Sequence, residues 1–303
     1  MEVKTYLQPQ SLAGLSDALL QMEEGSKILA GGTDLIIRIR NREGTIPLLL
    51  SVCRVRELYG IFGEADGLVI GAMENFASIA SDSRVRNEPY LEALGMACAR
   101  VGSRQIRNKG TIGGNLGNAS VAGDMIPVLT MYHAEAEIMR GGGALRRLPV
   151  EALITGVSRT ALRPDEIITR IRIPMRPGRR SCFLKLGGRE AVTVAELSLC
   201  MTWRTEKGVF AGVEGVLGAV DAHPVVLDEA AEIVDGTAGG GQVWGRLADS
   251  LSGRISAIRM KRTRPPKLRI REGEKAYKER AVRGIVFDLG GRMEASLHES
   301  ERG

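Results

Sequence analysis

Short helical and short extended patterns alternate from the first residues of the chain. Residues 11–22 place Leu12, Leu15, Ala18, Leu19 and Met22 at helical spacing behind Ser11, a side chain suited to an N-cap. Residues 27–30 form a short apolar strand that runs into Gly31-Gly32, and Thr33-Asp34 then opens a second helix with Leu35, Ile36 and Ile39 on one side. Residues 46–52 and 68–73 are apolar runs of strand length. Helical patterns occupy 74–104 with a break near Pro89, and glycines punctuate 102–123 as a loop-rich stretch. Residues 136–140 and 145–149 predict a hairpin about Gly141, Gly142 and Gly143.

Pro174, Pro177 and Gly178 mark a boundary after which the texture changes. Residues 195–205 and 209–220 are long β-like runs joined near Lys207-Gly208, the pattern of an antiparallel pair. Helical segments follow at 224–235, 242–252 and 275–282, and strands followed by helices predict an α+β arrangement. The expected organisation is a domain over 1–176 with lobes of about 1–55 and 56–176, a smaller α+β domain with an antiparallel sheet over 177–285, and a tail from 286 to 303.

Composition narrows the class. The 303 residues are 44% hydrophobic and 26% charged, the mixture of a globular protein with room for two domains. No apolar stretch reaches membrane-spanning length and the opening MEVKTYLQPQ has no signal core, so a cytoplasmic protein without a membrane span is expected. The net charge of +6 is local: residues 254–283 hold twelve Lys and Arg against three Glu, leaving about −3 for the rest. Only Tyr277 stands among those cations for base stacking, so the run reads as a solvated or partner-facing surface rather than a nucleic-acid site. Cys53, Cys98, Cys182 and Cys200 form no CxxC pair, and His133, His223 and His298 are scattered. No metal site is expected, and each cysteine reads as a small buried hydrophobe.

Two glycine motifs carry the candidate chemistry. The first is Lys27, Ile28, Leu29, Ala30, Gly31, Gly32, Thr33 and Asp34, strand into glycines into helix; the second runs from Gly110 through Thr111, Ile112, Gly113, Gly114, Asn115, Leu116 and Gly117 to Asn118, with Asp124 following. Glycines let backbone N–H groups approach an anion with no Cβ in the way, and Thr33, Thr111 and Asn115 add short side-chain hydrogen bonds. The spacing matches neither a GxxxxGK[ST] phosphate loop nor a GxGxxG dinucleotide fingerprint. On the residues alone, tight turns and an anion or dinucleotide site both stand.

The motifs Ala30-Gly-Gly-Thr-Asp34 and Thr111-Ile-Gly-Gly-Asn115 resemble the two flavin-diphosphate loops in the FAD-binding subunits of molybdenum hydroxylases. Collinear matches accompany them: Gln105-Ile-Arg-Asn108, Asp124-Met-Ile-Pro127, Glu166-Ile-Ile168, Phe183-Leu-Lys185, and Ala276-Tyr277-Lys278 with lysine where the family has arginine. The resemblance spans about 3–285 and implies a two-lobed FAD-binding domain of the vanillyl-alcohol oxidase or para-cresol methylhydroxylase type. It implies that 27–34 and 111–115 hold the FAD diphosphate, that Asp124 serves the adenosine half, that Ile167 or Ile168 flanks the flavin, and that Lys185 lies near the isoalloxazine ring. It also implies a molybdenum–pterin large subunit and a [2Fe-2S] small subunit in a dimer of heterotrimers, with electrons passing through FAD to an acceptor such as NAD or quinone. No residue of this chain is expected to be catalytic. A scaffold of the same fold without FAD, and a stand-alone flavoprotein oxidase, are the alternatives.

Overall fold

The computed structural model describes residues 1–41, 43–189, 192–258 and 274–300. The centre of the basic run at 254–283 lies outside the described residues.

The N-terminal part builds a three-stranded parallel sheet in the order Glu2–Leu7, Thr45–Ser51, Lys27–Leu29. Parallel neighbours need crossovers, and the helices Leu12–Leu19 and Leu35–Asn41 provide them. Ser11 caps the first, its side chain accepting from the Gly14 N–H, and Leu15, Ala18 and Leu19 are buried as the spacing predicts. Thr45–Ser51 is central and nearly continuous in buried residues, the signature of a strand covered on both faces.

A five-stranded antiparallel sheet follows, in the order Ile61–Gly63, Gly67–Gly71, Glu166–Pro174, Glu135–Arg140, Leu145–Pro149. The last two strands form the expected hairpin. The long strand Glu166–Pro174 sits in the middle, and its pairing with Glu135–Arg140 is interrupted by a bulge between Ile168 and Arg170.

Beyond Pro174 a four-stranded antiparallel sheet runs Arg180–Leu186, Leu197–Glu206, Val209–Gly218, Val225–Val226. Glu206 pairs with Val209 across Lys207 and Gly208, which have φ of 50° and 78°. Two consecutive positive φ values match the right-handed twist of the flanking strands, which is why this two-residue turn closes the hairpin. Helices Gly241–Ala257 and Glu274–Ser300 cover one face through Trp244, Leu247, Leu251, Val286, Leu289 and Met293. Helices mixed with mainly antiparallel sheets make the chain α+β, as expected.

Three expectations change. The stretch 102–123 is not predominantly loop: helices Arg104–Arg107 and Ile112–Asn118 occupy it, each started by a side-chain cap, Ser103 accepting from Ile106 N–H and Thr111 from Gly114 N–H. The caps offset the low helix propensity of the glycines. The segment from 286, set apart as a tail, continues the last helix to Ser300 and buries Val286, Leu289, Met293 and Leu297. Cys53 is exposed, accepting a hydrogen bond from Gln8 Nε2 at 3.2 Å, whereas Cys98, Cys182 and Cys200 are buried.

Candidate functional site

The first motif leaves the parallel sheet at Leu29 and turns through Gly32, whose φ of +74° suits glycine, into helix Leu35–Asn41. The backbone N–H groups of Gly31, Gly32, Thr33 and Asp34 have no acceptor among the described residues. Gly31 is required by close approach: a Cβ there would stand 1.8 Å from the Lys109 carbonyl oxygen. The first loop therefore rests directly on the backbone that leads into the second.

The second motif spends its donors internally. The Ile112 N–H donates to the Glu74 carbonyl at 3.0 Å, Gly113 N–H to Ala72 at 2.9 Å, and Gly114 N–H to the Thr111 hydroxyl at 3.1 Å. A Cβ on Gly113 would fall 2.6 Å from the Ala72 Cβ, so this glycine serves packing against the antiparallel sheet. Gly114 is exposed and lies beside Ala30, with 3.7 Å between its ideal Cβ and the Ala30 Cβ. Asn115 keeps a buried Oδ1 with no hydrogen-bond partner.

The loops border one cleft of about 460 Å³. Of the first motif, every residue but Leu29 lines it; of the second, every residue but Ile112 and Leu116, which are fully buried in the central core. Ile167 and Ile168 both line it, Ile167 packing into the parallel-sheet core and Ile168 into the central core, at the edge of the bulge. Val52, Leu58 and Met73 join Ile167 to make an apolar wall. Asn118, the end of the second motif, lines the cleft, and so do Arg38, Thr160 and Arg163, which sequence reasoning passed over. Arg38 sits in the helix launched from the first motif, a signal open to reading; Thr160 and Arg163 arrive from a distant segment with none.

Asp124 and Lys185 are not among the lining residues, and they stand together. Lys185 Nζ donates to Asp124 Oδ2 at 2.6 Å and to the Arg100 carbonyl at 3.1 Å, with both side chains at most 5% exposed. Burial raises the Asp124 carboxyl to about 6, against the opposing pull of Lys185 and Arg100. Its Oδ1 is buried without a partner. The pair is set back from the residues that line the cleft. The two act as one unit.

A cleft with unpaired N–H donors at a glycine turn and an apolar wall suits a ligand with an anionic bridge and a flat apolar portion. A family model described as the FAD binding domain in molybdopterin dehydrogenase matches residues 1–176. The chain belongs to this family. The recognition made on the two glycine motifs holds, and the family is one of oxidoreductases. The chain is 32% identical over 250 residues to the nicotinate dehydrogenase FAD-subunit of Eubacterium barkeri, covering 76% of this chain and 79% of the relative. It is 31% identical over 236 residues to the carbon monoxide dehydrogenase medium chain of Afipia carboxidovorans, covering 77% and 80%. It superposes on a chain of reconstituted CO dehydrogenase from Oligotropha carboxidovorans with a TM-score of 0.84 at 25% identity, covering 97% of this chain and 98% of that one. Among the described residues no helix is long and apolar enough to cross a membrane, and no group of three or more His, Cys, Asp or Glu could hold a metal ion.

Proposed function

We propose that the cleft holds FAD and that the chain is the electron-transfer flavoprotein subunit of a molybdenum hydroxylase. In this reading a molybdenum–pterin large subunit oxidises the substrate, [2Fe-2S] clusters in a small subunit relay the electrons, and they leave to NAD or quinone. The assembly is a dimer of heterotrimers. When bound, FAD supplies the redox chemistry that links one-electron carriers to the final acceptor.

The residues of this chain bind, orient and shield. The four unpaired N–H groups of Gly31, Gly32, Thr33 and Asp34 receive the diphosphate, where donors fixed in place cost little reorganisation. Asn115, which lines the same cleft, adds an amide N–H donor. Val52, Leu58, Met73, Ile167 and Ile168 pack the ring system and keep water from it. Lys185 is a positioning residue: it fixes Asp124 and the chain just before Val101, which lines the cleft.

The observation that carries this reading is the first loop, its N–H groups unpaired and its Gly31 pressed on the backbone leading to the second motif. The test is to purify the full chain alone and co-expressed with molybdenum and iron–sulfur subunits. One extractable FAD per chain is expected, with molybdenum and iron co-eluting from the co-expressed sample at the mass of a dimer of heterotrimers. A colourless chain overturns the FAD assignment. A yellow chain that turns over an organic substrate unaided overturns the subunit assignment.

A further inference from the structure

The cleft contains a cation that neither glycine motif accounts for. Arg38 lies in helix Leu35–Asn41, four residues beyond Asp34, so its backbone stands about 6 Å further along the axis. Its Nη2 donates to Asn118 Oδ1 at 2.6 Å, and Asn118 ends helix Ile112–Asn118. The two helices that spring from the two motifs are thus joined by one side-chain hydrogen bond along the cleft wall. No carboxylate pairs with Arg38 among the described residues, and its Nε and Nη1 have no partner there. A guanidinium gripped at one corner presents the rest of its fork in a fixed direction.

The lining also divides by chemistry. Val52, Leu58, Met73 and Ile167 belong to one apolar core, whereas Arg38, Asn118, Thr160 and Arg163 are polar. If the proposed function is right, the ring system takes the apolar wall and the phosphates take the glycine turn. The adenosine side then remains for the polar wall.

We propose that Arg38, oriented by Asn118, recognises the adenylate half of the cofactor and makes the cleft select FAD over FMN. The planar fork suits the oxygens of the phosphate nearer adenosine, which FMN lacks. This inference rests on the FAD reading but can fail separately from it.

The experiment uses the full chain freed of flavin and titrated with FAD, FMN and, in competition, ADP. Flavin fluorescence reports binding, with circular dichroism and a thermal melt to establish folding. Arg38→Gln is expected to weaken FAD and ADP by roughly ten- to a hundredfold, the range for hydrogen bonds to charged groups, and to leave FMN unchanged. Arg38→Lys keeps the charge without the fork and recovers only part of the loss. Asn118→Ala leaves the guanidinium in place but ungripped, and is expected to weaken FAD by about threefold. Equal losses for FAD and FMN overturn the proposal, because a general disturbance of the cleft would explain them. Unchanged FAD affinity in folded Arg38→Gln overturns it too, while FAD binding by the unaltered chain stands. No flavin binding by the unaltered chain removes both readings. Should Arg38→Gln not fold, Arg38→Lys and Asn118→Ala decide by the same FAD-to-FMN ratio.

Discussion

The two glycine motifs look alike in sequence and do different work. In the first, glycines expose backbone: Gly31, Gly32, Thr33 and Asp34 keep four N–H donors unpaired at the edge of an open cleft. In the second, glycines consume it: Ile112, Gly113 and Gly114 all donate within the chain, and Gly113 lets the helix press against Ala72. One motif leaves donors open at the cleft, while the other packs its helix against Ala72 at the end of strand Gly67–Gly71. A paired glycine signals close approach, and only the structure says whether the approaching partner is ligand or protein.

The sharpest way to break this contrast is at the point of contact between the loops. Gly31→Ala puts a Cβ 1.8 Å from a backbone oxygen that cannot swing away, so a loss of more than about 3 kcal/mol is expected, with flavin retention abolished. Thermal melts and the flavin-to-protein absorbance ratio read the two effects. An alanine variant that keeps both would mean the loops do not meet.

Beyond the second motif, Asp124 and Lys185 form a buried pair away from the cleft lining, and the handle on it is pH. The Asp124 carboxyl is raised from 3.8 to about 6, chiefly by burial. Below the lower value both states hold the proton. As pH rises towards the upper one, the folded chain keeps the proton longer than the unfolded chain. Stability contributed by this group therefore falls between those two values, by up to about 3 kcal/mol, and is flat above. Subtracting the Asp124→Asn profile from that of the unaltered chain should isolate a decline in that window. A difference that is flat there would show that Lys185 fully offsets the burial.

Much of this was legible in the chain. The strand–turn–helix of the first motif follows from Lys27–Leu29, Gly32 and the apolar side of Leu35–Asn41, all local. The hairpin at Lys207-Gly208 follows from turn chemistry alone. The contact of Gly113 with Ala72 is tertiary, and the Asp124–Lys185 pair joins residues 61 apart, so neither leaves a local trace. The last helix was expected only over 275–282, and its continuation was missed for another reason. Gly290-Gly291 interrupts the helical pattern, yet a Cβ at Gly290 would lie 2.5 Å from the Trp244 ring, so that glycine is there to let two helices close on each other. The apolar spacing of Leu289, Met293 and Leu297 carried the helix through it.

Gly113→Ala should cost about 2 kcal/mol, since the new Cβ meets Ala72 at 2.6 Å and its carbonyl oxygen at 2.8 Å. Flavin loss would follow from the displaced helix rather than from a blocked site, so the melt should drop whether or not FAD is present. Measuring apo and loaded protein side by side separates packing from binding.

Gly114→Val is expected to disturb stability least and the contrast most. The nearest atom to a Cβ there is the Thr111 hydroxyl at 2.8 Å, and the next is the Ala30 Cβ at 3.7 Å. The cost to the apo fold is then that of a disturbed helix cap, about 1 kcal/mol. Yet the added branches project where an exposed glycine now borders the cleft, so flavin retention should be lost while circular dichroism is unchanged. Gly114→Ala, with one methyl instead of three carbons, should retain FAD at reduced affinity. Full FAD occupancy in the valine variant would mean that the second motif supports the first loop without touching the cofactor, and the division of labour between the motifs would be complete rather than partial.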